Sequence, residues 1–225
     1  MEQNEFLKKL ETELKISKNS DHTIRNYIDA NKKLFKFSNK LPNEIDIDDV
    51  KLYMAEKLTE RSSTTIIVFL AALKYSFSNI LQKDITAGIK RPKKEKRIPS
   101  VLTKEEIKKL LTTISNKKSK LMITLLYAAG LRVSELINLK TEDINFEEKI
   151  GHVRQGKGRK DRIFNLPENL LKPLQKQVES QKNLQQQLLF SGRKGVLSSR
   201  NIQKIVSSIA KKAGIEKDVH PHTLR

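Results

Sequence analysis

The sequence contains no cysteine and no tryptophan, and its aromatic residues amount to eight phenylalanines and four tyrosines. Without cysteine there is no disulfide framework and no thiolate-held metal, which suits a reducing compartment. The few aromatics are not interleaved with the basic runs, so a platform for stacking single-stranded bases is disfavoured. Long apolar runs are also missing. The longest, residues 66–73 and 121–131, fall short of the roughly 20 residues that a bilayer-spanning helix needs. The opening MEQNEFLKKL is polar and acidic and does not read as a secretory signal. The expectation is a soluble, cytoplasmic protein with no membrane partner.

Positive charge is what the chain has in excess. Its formal charge is +19 over 225 residues, and the excess is uneven. Residues 1–98 hold 20 Lys and Arg against 14 Asp and Glu, whereas residues 99–225 hold 25 against 12. Such a balance attracts polyanions at physiological salt. Double-stranded DNA is therefore the first partner to consider, through its backbone rather than through base stacking.

Periodicity predicts four helices in the first ninety residues. Residues 2–15 carry Phe6, Leu7, Leu10 and Leu14 at helical spacing, and residues 23–37 carry Ile24, Tyr27, Ile28, Leu34, Phe35 and Phe37. Residues 47–58 begin with an Asp46/Asp48/Asp49 cluster, favourable at a helix N-terminus. Residues 62–81 form a longer fourth helix with Ser62, Ser63 or Thr64 as candidate cap. His22 and the tyrosines at 27, 53 and 75 read as packing or surface residues. Residues 90–99, KRPKKEKRIP, then exclude a continuous helix with two prolines and repel themselves into an extended linker. Lys90, Arg91, Lys93, Lys94, Lys96 and Arg97 are either a solvated run or a strip that lies along a duplex; the overall charge favours the duplex.

The second half opens on a capping box, Thr103-Lys104-Glu105-Glu106. Residues 121–130 read as a core helix ending at Gly130, and residues 133–139 as a second helix with Leu136, Ile137 and Leu139 inward. Between them Arg132 is expected to be buried, with Glu135 three positions on to pair it. An unpaired guanidinium cannot face apolar surroundings, so Arg132 is either half of a structural ion pair or a holder of a ligand anion. Residues 144–146, 150–154 and 162–167 read as short strands around the turn Gly156-Lys157-Gly158-Arg159-Lys160-Asp161. That turn lacks the spacing of a nucleotide-cradling glycine loop. Arg154, Lys157, Arg159, Lys160 and Arg162 crowd into nine residues there and read as phosphate contacts. A polar helix at 170–184, a buried piece at 188–190 and a helix at 201–212 lead to the final His220-Pro221-His222-Thr223-Leu224-Arg225.

Two arginines, a lysine and a histidine suit a phosphodiester under attack. Arginine forks hold nonbridging oxygens at any working pH, a lysine can protonate the leaving oxygen, and a histidine can relay a proton. No carboxylate cluster resembles a metal site and no cofactor is expected, so the arginines take the role that metal ions play elsewhere.

AGLRVSEL (129–136), GKG (156–158) and PHTLR (221–225), in this order and separation, resemble the tyrosine site-specific recombinases, the Xer and phage-integrase family. The resemblance covers the whole chain. It implies a mainly α fold with a small antiparallel β-hairpin or sheet, in two domains. Residues 1–89 resemble the family's helical, SAM-like core-binding domain, and residues 100–225, after the linker at 90–99, its α+β catalytic domain. The implied roles are Arg132 and Arg225 on the scissile phosphate, Lys157 as general acid, His222 as acid/base partner and Glu135 in support of Arg132. His220 matches no catalytic position. The family breaks and rejoins DNA through a 3′-phosphotyrosine, working as a dimer on a site and a tetramer in synapsis, so a homo-oligomer on DNA is implied.

One departure stands out. In the family a second histidine or tryptophan and then the nucleophilic tyrosine follow the H-x-x-R motif. The tyrosines here are 27, 53, 75 and 127, the first three in the helical region and the last midway along an apolar helix, so the nucleophile is absent. The expectation is a protein that binds duplex DNA but does not cleave it alone, with apolar core surface left open to a partner. Two other readings remain open: a catalytically inactive DNA-binding regulator or partner of a recombinase, and a basic RNA-associated protein with chance motifs.

Overall fold

The structure is a computed structural model in which residues 1–93, 100–154, 161–192 and 195–224 are described. The chain divides into two compact units, Met1–Arg97 and Ile98–Arg225.

The first unit is helical: α1 (Gln3–Ile16), α2 (Asp21–Ser38), α3 (Ile47–Tyr53), which widens into a π turn at Met54–Leu58, and α4 (Ser63–Leu81). Each start after α1 has its own side-chain cap. Ser20 accepts the Thr23 N–H at 3.2 Å, and Asp46 accepts those of Asp48 and Asp49 at 2.9 and 3.1 Å. Ser62, of the three candidates, accepts the Thr65 N–H at 3.3 Å. These bonds satisfy donors that have no partner within the helix. The core is aromatic. Phe6 meets Phe35 and Phe77 with ring centroids 5.3 and 5.0 Å apart, and Tyr53 stacks on Phe69 at 4.9 Å. By length and composition α4, with 19 residues, could cross a membrane, which the run-by-run reading did not foresee. Its Phe69, Leu70, Leu73 and Phe77 lie in the core of this unit, as in a central helix of a globular domain.

The second unit holds α5 (Lys104–Thr113), α6 (Lys117–Ala128) and α7 (Val133–Asn138), then a sheet of β1 (Ile144–Asn145), β2 (Ile150–Val153) and β3 (Arg162–Asn165). After it come α8 (Glu168–Asn183), the pair β4 (Ser191–Gly192) and β5 (Gly195–Val196), α9 (Ser199–Lys212) and a 3₁₀ turn, Pro221–Leu224. The three-stranded sheet is antiparallel in the order β1-β2-β3, with Gly151 opposite Phe164 and Val153 opposite Arg162. Gly151 is required by packing: a Cβ there would stand 2.2 Å from the Phe164 ring. The core is aliphatic, built on Leu110, Leu125, Leu126, Leu136, Leu174 and Val206, with Phe190 the one fully buried aromatic ring in it among the described residues.

The mainly α architecture with a small antiparallel sheet agrees with expectation, and the capping box is present: Thr103 accepts the Glu106 N–H at 3.2 Å while Glu106 accepts that of Thr103 at 2.7 Å. Several boundaries differ. α6 starts at Lys117 because Asn116 caps it through the Ser119 N–H at 2.9 Å, and it ends at Ala128 rather than Gly130. Tyr127 is therefore its penultimate residue and is 43% exposed, not set midway along a buried helix. α8 starts two residues early, and the strands β1, β2 and β3 are shorter than their apolar runs. The β4–β5 pair carries no alternating pattern and was not foreseen.

Candidate nucleic-acid interface

Local backbone chemistry places Arg132. At the end of α6 the Ala129 N–H donates to the Leu125 carbonyl at 3.0 Å, and Gly130 turns the chain at φ +56°, a conformation that favours glycine. Leu131 is 1% exposed and anchors the turn in the core. Arg132 then stands at the N-cap of α7, where a guanidinium cannot accept the helix's free N–H groups. Glu135, in the first turn, instead reaches back and accepts the Arg132 N–H through Oε2 at 2.7 Å.

The same carboxylate holds two guanidiniums. Its Oε1 accepts from Arg132 Nη1 at 2.7 Å, and its Oε2 from Arg162 Nη2 at 2.7 Å, with the Gly130 carbonyl 3.5 Å from that nitrogen. The Glu135 side chain is 4% exposed and those of Arg132 and Arg162 are 31% and 33% exposed. The expected burial of Arg132 is thus corrected: the carboxylate lies inside, and the arginine reaches the surface from it. Burial pushes the Glu135 carboxyl up, but the Arg132 N–H and the two guanidiniums outweigh that and hold it below the ordinary carboxylate range. One carboxylate against two guanidiniums leaves a net positive, partly open cluster, which suits an anion.

The sequence reading placed Arg162 among phosphate contacts and did not foresee its bond to Glu135. Nothing in the sequence marks it, since 27 residues separate the two and only the register of β3 against β2 brings them together. Arg154 is likewise engaged: its Nε donates to Asp143 Oδ1 at 2.7 Å, and Asp143 is 4% exposed while Arg154 is 61% exposed. The other Asp143 oxygen accepts the Lys140 N–H at 2.9 Å, so this buried carboxylate repeats the device of Glu135. Most of the Arg154 guanidinium still faces solvent.

His222 is exposed on the 3₁₀ turn, its ring centroid 6.1 Å from that of His220 in an edge-on pair. Buried Pro221, Thr223 and Leu224 seat the turn, and Thr223 Oγ1 donates to the His220 carbonyl at 2.8 Å. Lys90, Arg91 and Lys93 are exposed outside helix and strand. Lys94, Lys96, Arg97, Lys157, Arg159, Lys160 and Arg225 lie outside the described residues. Among the described residues no three His, Asp or Glu side chains converge as metal ligands.

A basic groove in the first unit was missed by sequence reasoning. It encloses about 960 Å³ between α2, the π turn and the start of α4, with Lys33, Lys36, Lys57 and Arg61 among its lining and Phe37 and Tyr53 behind them. Lys33 and Lys36 share α2, while Lys57 comes from the π turn and Arg61 from the bend before α4, so packing is what brings the two pairs together. The tyrosines of this unit are structural. Tyr27 and Tyr75 meet edge-on at 5.7 Å, Tyr75 Oη shares a hydrogen bond with Ser17 Oγ at 3.1 Å, and burial pushes the Tyr53 hydroxyl up.

Family models agree with both halves. The phage integrase family matches residues 100–225, and the N-terminal SAM-like domain of phage integrases matches residues 6–87. The chain is 34% identical over 229 residues to the tyrosine recombinase XerA of Thermococcus kodakarensis, covering all of this chain and 79% of that protein. It resembles the crystal structure of a XerA recombinase with a TM-score of 0.53 at 29% identity, covering 99% of this chain and 81% of that one. The fold is similar as well to that of a lambda integrase dimer bound to a COC′ core site, with a TM-score of 0.79 at 19% identity, covering 100% of this chain and 87% of that one.

Proposed function

This chain belongs to the phage integrase family, the tyrosine recombinases, and from that premise we propose that it acts in site-specific DNA recombination, gripping duplex DNA and holding a phosphodiester for breaking and rejoining. The observation that carries the reading is the pair of arginines sharing one buried carboxylate, a preorganised anion site at the end of β3 that follows the segment containing Lys157 in the sequence. In this reading Arg132 and Arg225 hold the nonbridging oxygens as charge develops, and Glu135 fixes the direction of Arg132. A tyrosine hydroxyl other than the four in these residues attacks phosphorus, giving up its proton to His222 and forming a 3′-phosphotyrosine. The 5′-oxygen leaves with a proton from Lys157, and rejoining runs the same steps backwards.

Residues 1–89 serve as the core-binding domain, 90–99 as a linker along the duplex and 100–225 as the catalytic domain, in a cytoplasmic setting. The protein pairs on a site and forms tetramers in synapsis. None of the four tyrosines supports a nucleophile: three pack in the helical unit and Tyr127 lies in the exposed last turn of α6. These residues therefore bind duplex DNA and hold its phosphate without cutting it alone. That same observation favours a second reading, a non-cleaving DNA-binding partner of a recombinase.

The test incubates the chain with a nicked duplex and separates the products with and without SDS. A band shift that weakens steeply with salt and leaves no SDS-resistant adduct is expected. An adduct would show that one of the four tyrosines attacks, and absence of duplex binding at low salt would sink the recombinase reading. Arg132→Ala should lower duplex affinity by no more than about tenfold, since one phosphate contact among many is lost. Loss of all binding by a folded Arg132→Ala protein would contradict its role at a single phosphate.

A further inference from the structure

A groove on the second unit lies away from the arginine cluster. It encloses about 680 Å³ between the end of α5, the start of α6 and the first half of α8. Its floor is apolar, made by Leu111, Leu121 and Leu170, the last two nearly buried in the core. Its rim carries Lys117, Lys120, Lys172 and Lys176, beside Lys118, whose Nζ donates to the Ser191 carbonyl at 2.6 Å, and among the described residues no carboxylate lines it.

The placement of these lysines works against the isolated chain. Lys117 and Lys120 sit in the first turn of α6, which has no acidic residue and where the helix dipole is positive. Lys172 and Lys176 are four residues apart on α8, a like-charge spacing that disfavours the helix. Some helical lysines are neutralised one turn away, as Lys9 is by Glu5 at 2.8 Å, Lys15 by Glu11 at 2.6 Å and Lys33 by Asp29 at 2.6 Å, while others stand in open solvent; the groove differs in gathering its lysines around apolar surface. Around the groove none of the four makes an ion pair among the described residues. Four uncompensated cations surrounding an apolar floor call for a ligand that is acidic at its edges and apolar along its centre.

We propose that this groove docks an acidic amphipathic helix of a partner protein, its leucine-type side chains on the floor and its carboxylates against the lysine rim. A DNA backbone fits less well, because an apolar floor offers nothing to phosphates. The position agrees: α6 has 12 residues, about 18 Å of helix, and the groove lies at its N-terminal end while Arg132 follows its C-terminal end. The inference rests on the groove alone and not on the recombinase reading.

The test uses the whole chain and a fluorescein-labelled peptide of about four helical turns, with leucines along one face and glutamates on both flanks. Anisotropy should rise to saturation, and Lys172→Glu/Lys176→Glu should weaken binding at least about tenfold with an unchanged far-UV spectrum. Leu111→Gln should weaken it about threefold through the floor alone. Equal binding of a peptide with Gln in place of Glu, or of oligoglutamate, would overturn the proposal, the first by removing the rim and the second by removing the floor. Displacement of the peptide by duplex DNA would assign the groove to DNA. A change in the sedimentation of the chain itself on charge reversal would assign it to contact between copies.

Discussion

In Met1–Arg97 the polar side chains drawn into the core are neutral. Asn31 Nδ2 donates to Ser76 Oγ at 2.7 Å and to the Tyr27 carbonyl at 2.8 Å, within a nest of phenylalanine and tyrosine rings. In Ile98–Arg225 they include carboxylates: Glu135 and Asp143 are almost wholly inside, and each holds an arginine at the surface. The first arrangement is closed off from solvent and carries no charge, although Asn31 Oδ1 is left without a hydrogen-bond partner among the described residues. The second leaves cationic groups aimed outward from a rigid base, with more guanidinium charge than carboxylate to balance it at Glu135. A core of interlocking rings suits a frame, and a core with buried anions suits a site that must hold arginines ready for an anionic ligand.

The contrast can be broken most strongly in the first unit. Phe77→Ala removes a ring that touches Phe6 and Phe35 in a fully buried place, and should cost about 3–5 kcal/mol. Urea unfolding followed by far-UV signal measures it, and a loss below about 1 kcal/mol would deny the aromatic core its central place. Next in size, Glu135→Ala strands two guanidiniums and should cost about 3 kcal/mol, the low end for a broken buried pair because both arginines are about a third exposed. The same variant should weaken DNA binding, since Arg132 loses its direction; unchanged affinity would reduce Glu135 to a packing role.

Arg162→Ala should cost about 1–2 kcal/mol, the worth of one charge-assisted hydrogen bond that is partly exposed. Arg162→Lys should recover only part of it, because the planar fork is lost. Full recovery would mean that charge alone matters at this position.

The smallest effect is one of pH. The folded Glu135 carboxyl lies below its unfolded value, so its contribution is present above the ordinary carboxylate range and is lost as pH falls through the folded value. Thermal stability of the native chain should therefore drop below about pH 4, and Glu135→Gln should flatten that part of the curve. A variant with the same acid slope as the native chain would place the slope elsewhere.

Helices, caps and the existence of the hairpin were legible because they depend on near neighbours. Asp46, Ser62 and Thr103 cap the helices at whose starts they were expected, and periodic leucines and phenylalanines face inward as their spacing implies. The pairing of Arg132 with Glu135 was legible for the same reason, three positions along one helix start. The depth of Arg132 was not, because exposure depends on what packs above the turn. Nor were the bonds of Arg162 to Glu135 and of Arg154 to Asp143, which span 27 and 11 residues.

By itself the sequence determined the positive excess, the helix starts and the motif order that marks the family, since charge, capping and spacing are properties of neighbouring residues. The tertiary structure alone decided which carboxylate serves which arginine, that Gly151 must yield its Cβ to Phe164, and that lysines from two helices meet around one apolar floor. Those facts rest on strand register and helix packing, where residues distant in the chain share a contact that no local pattern encodes.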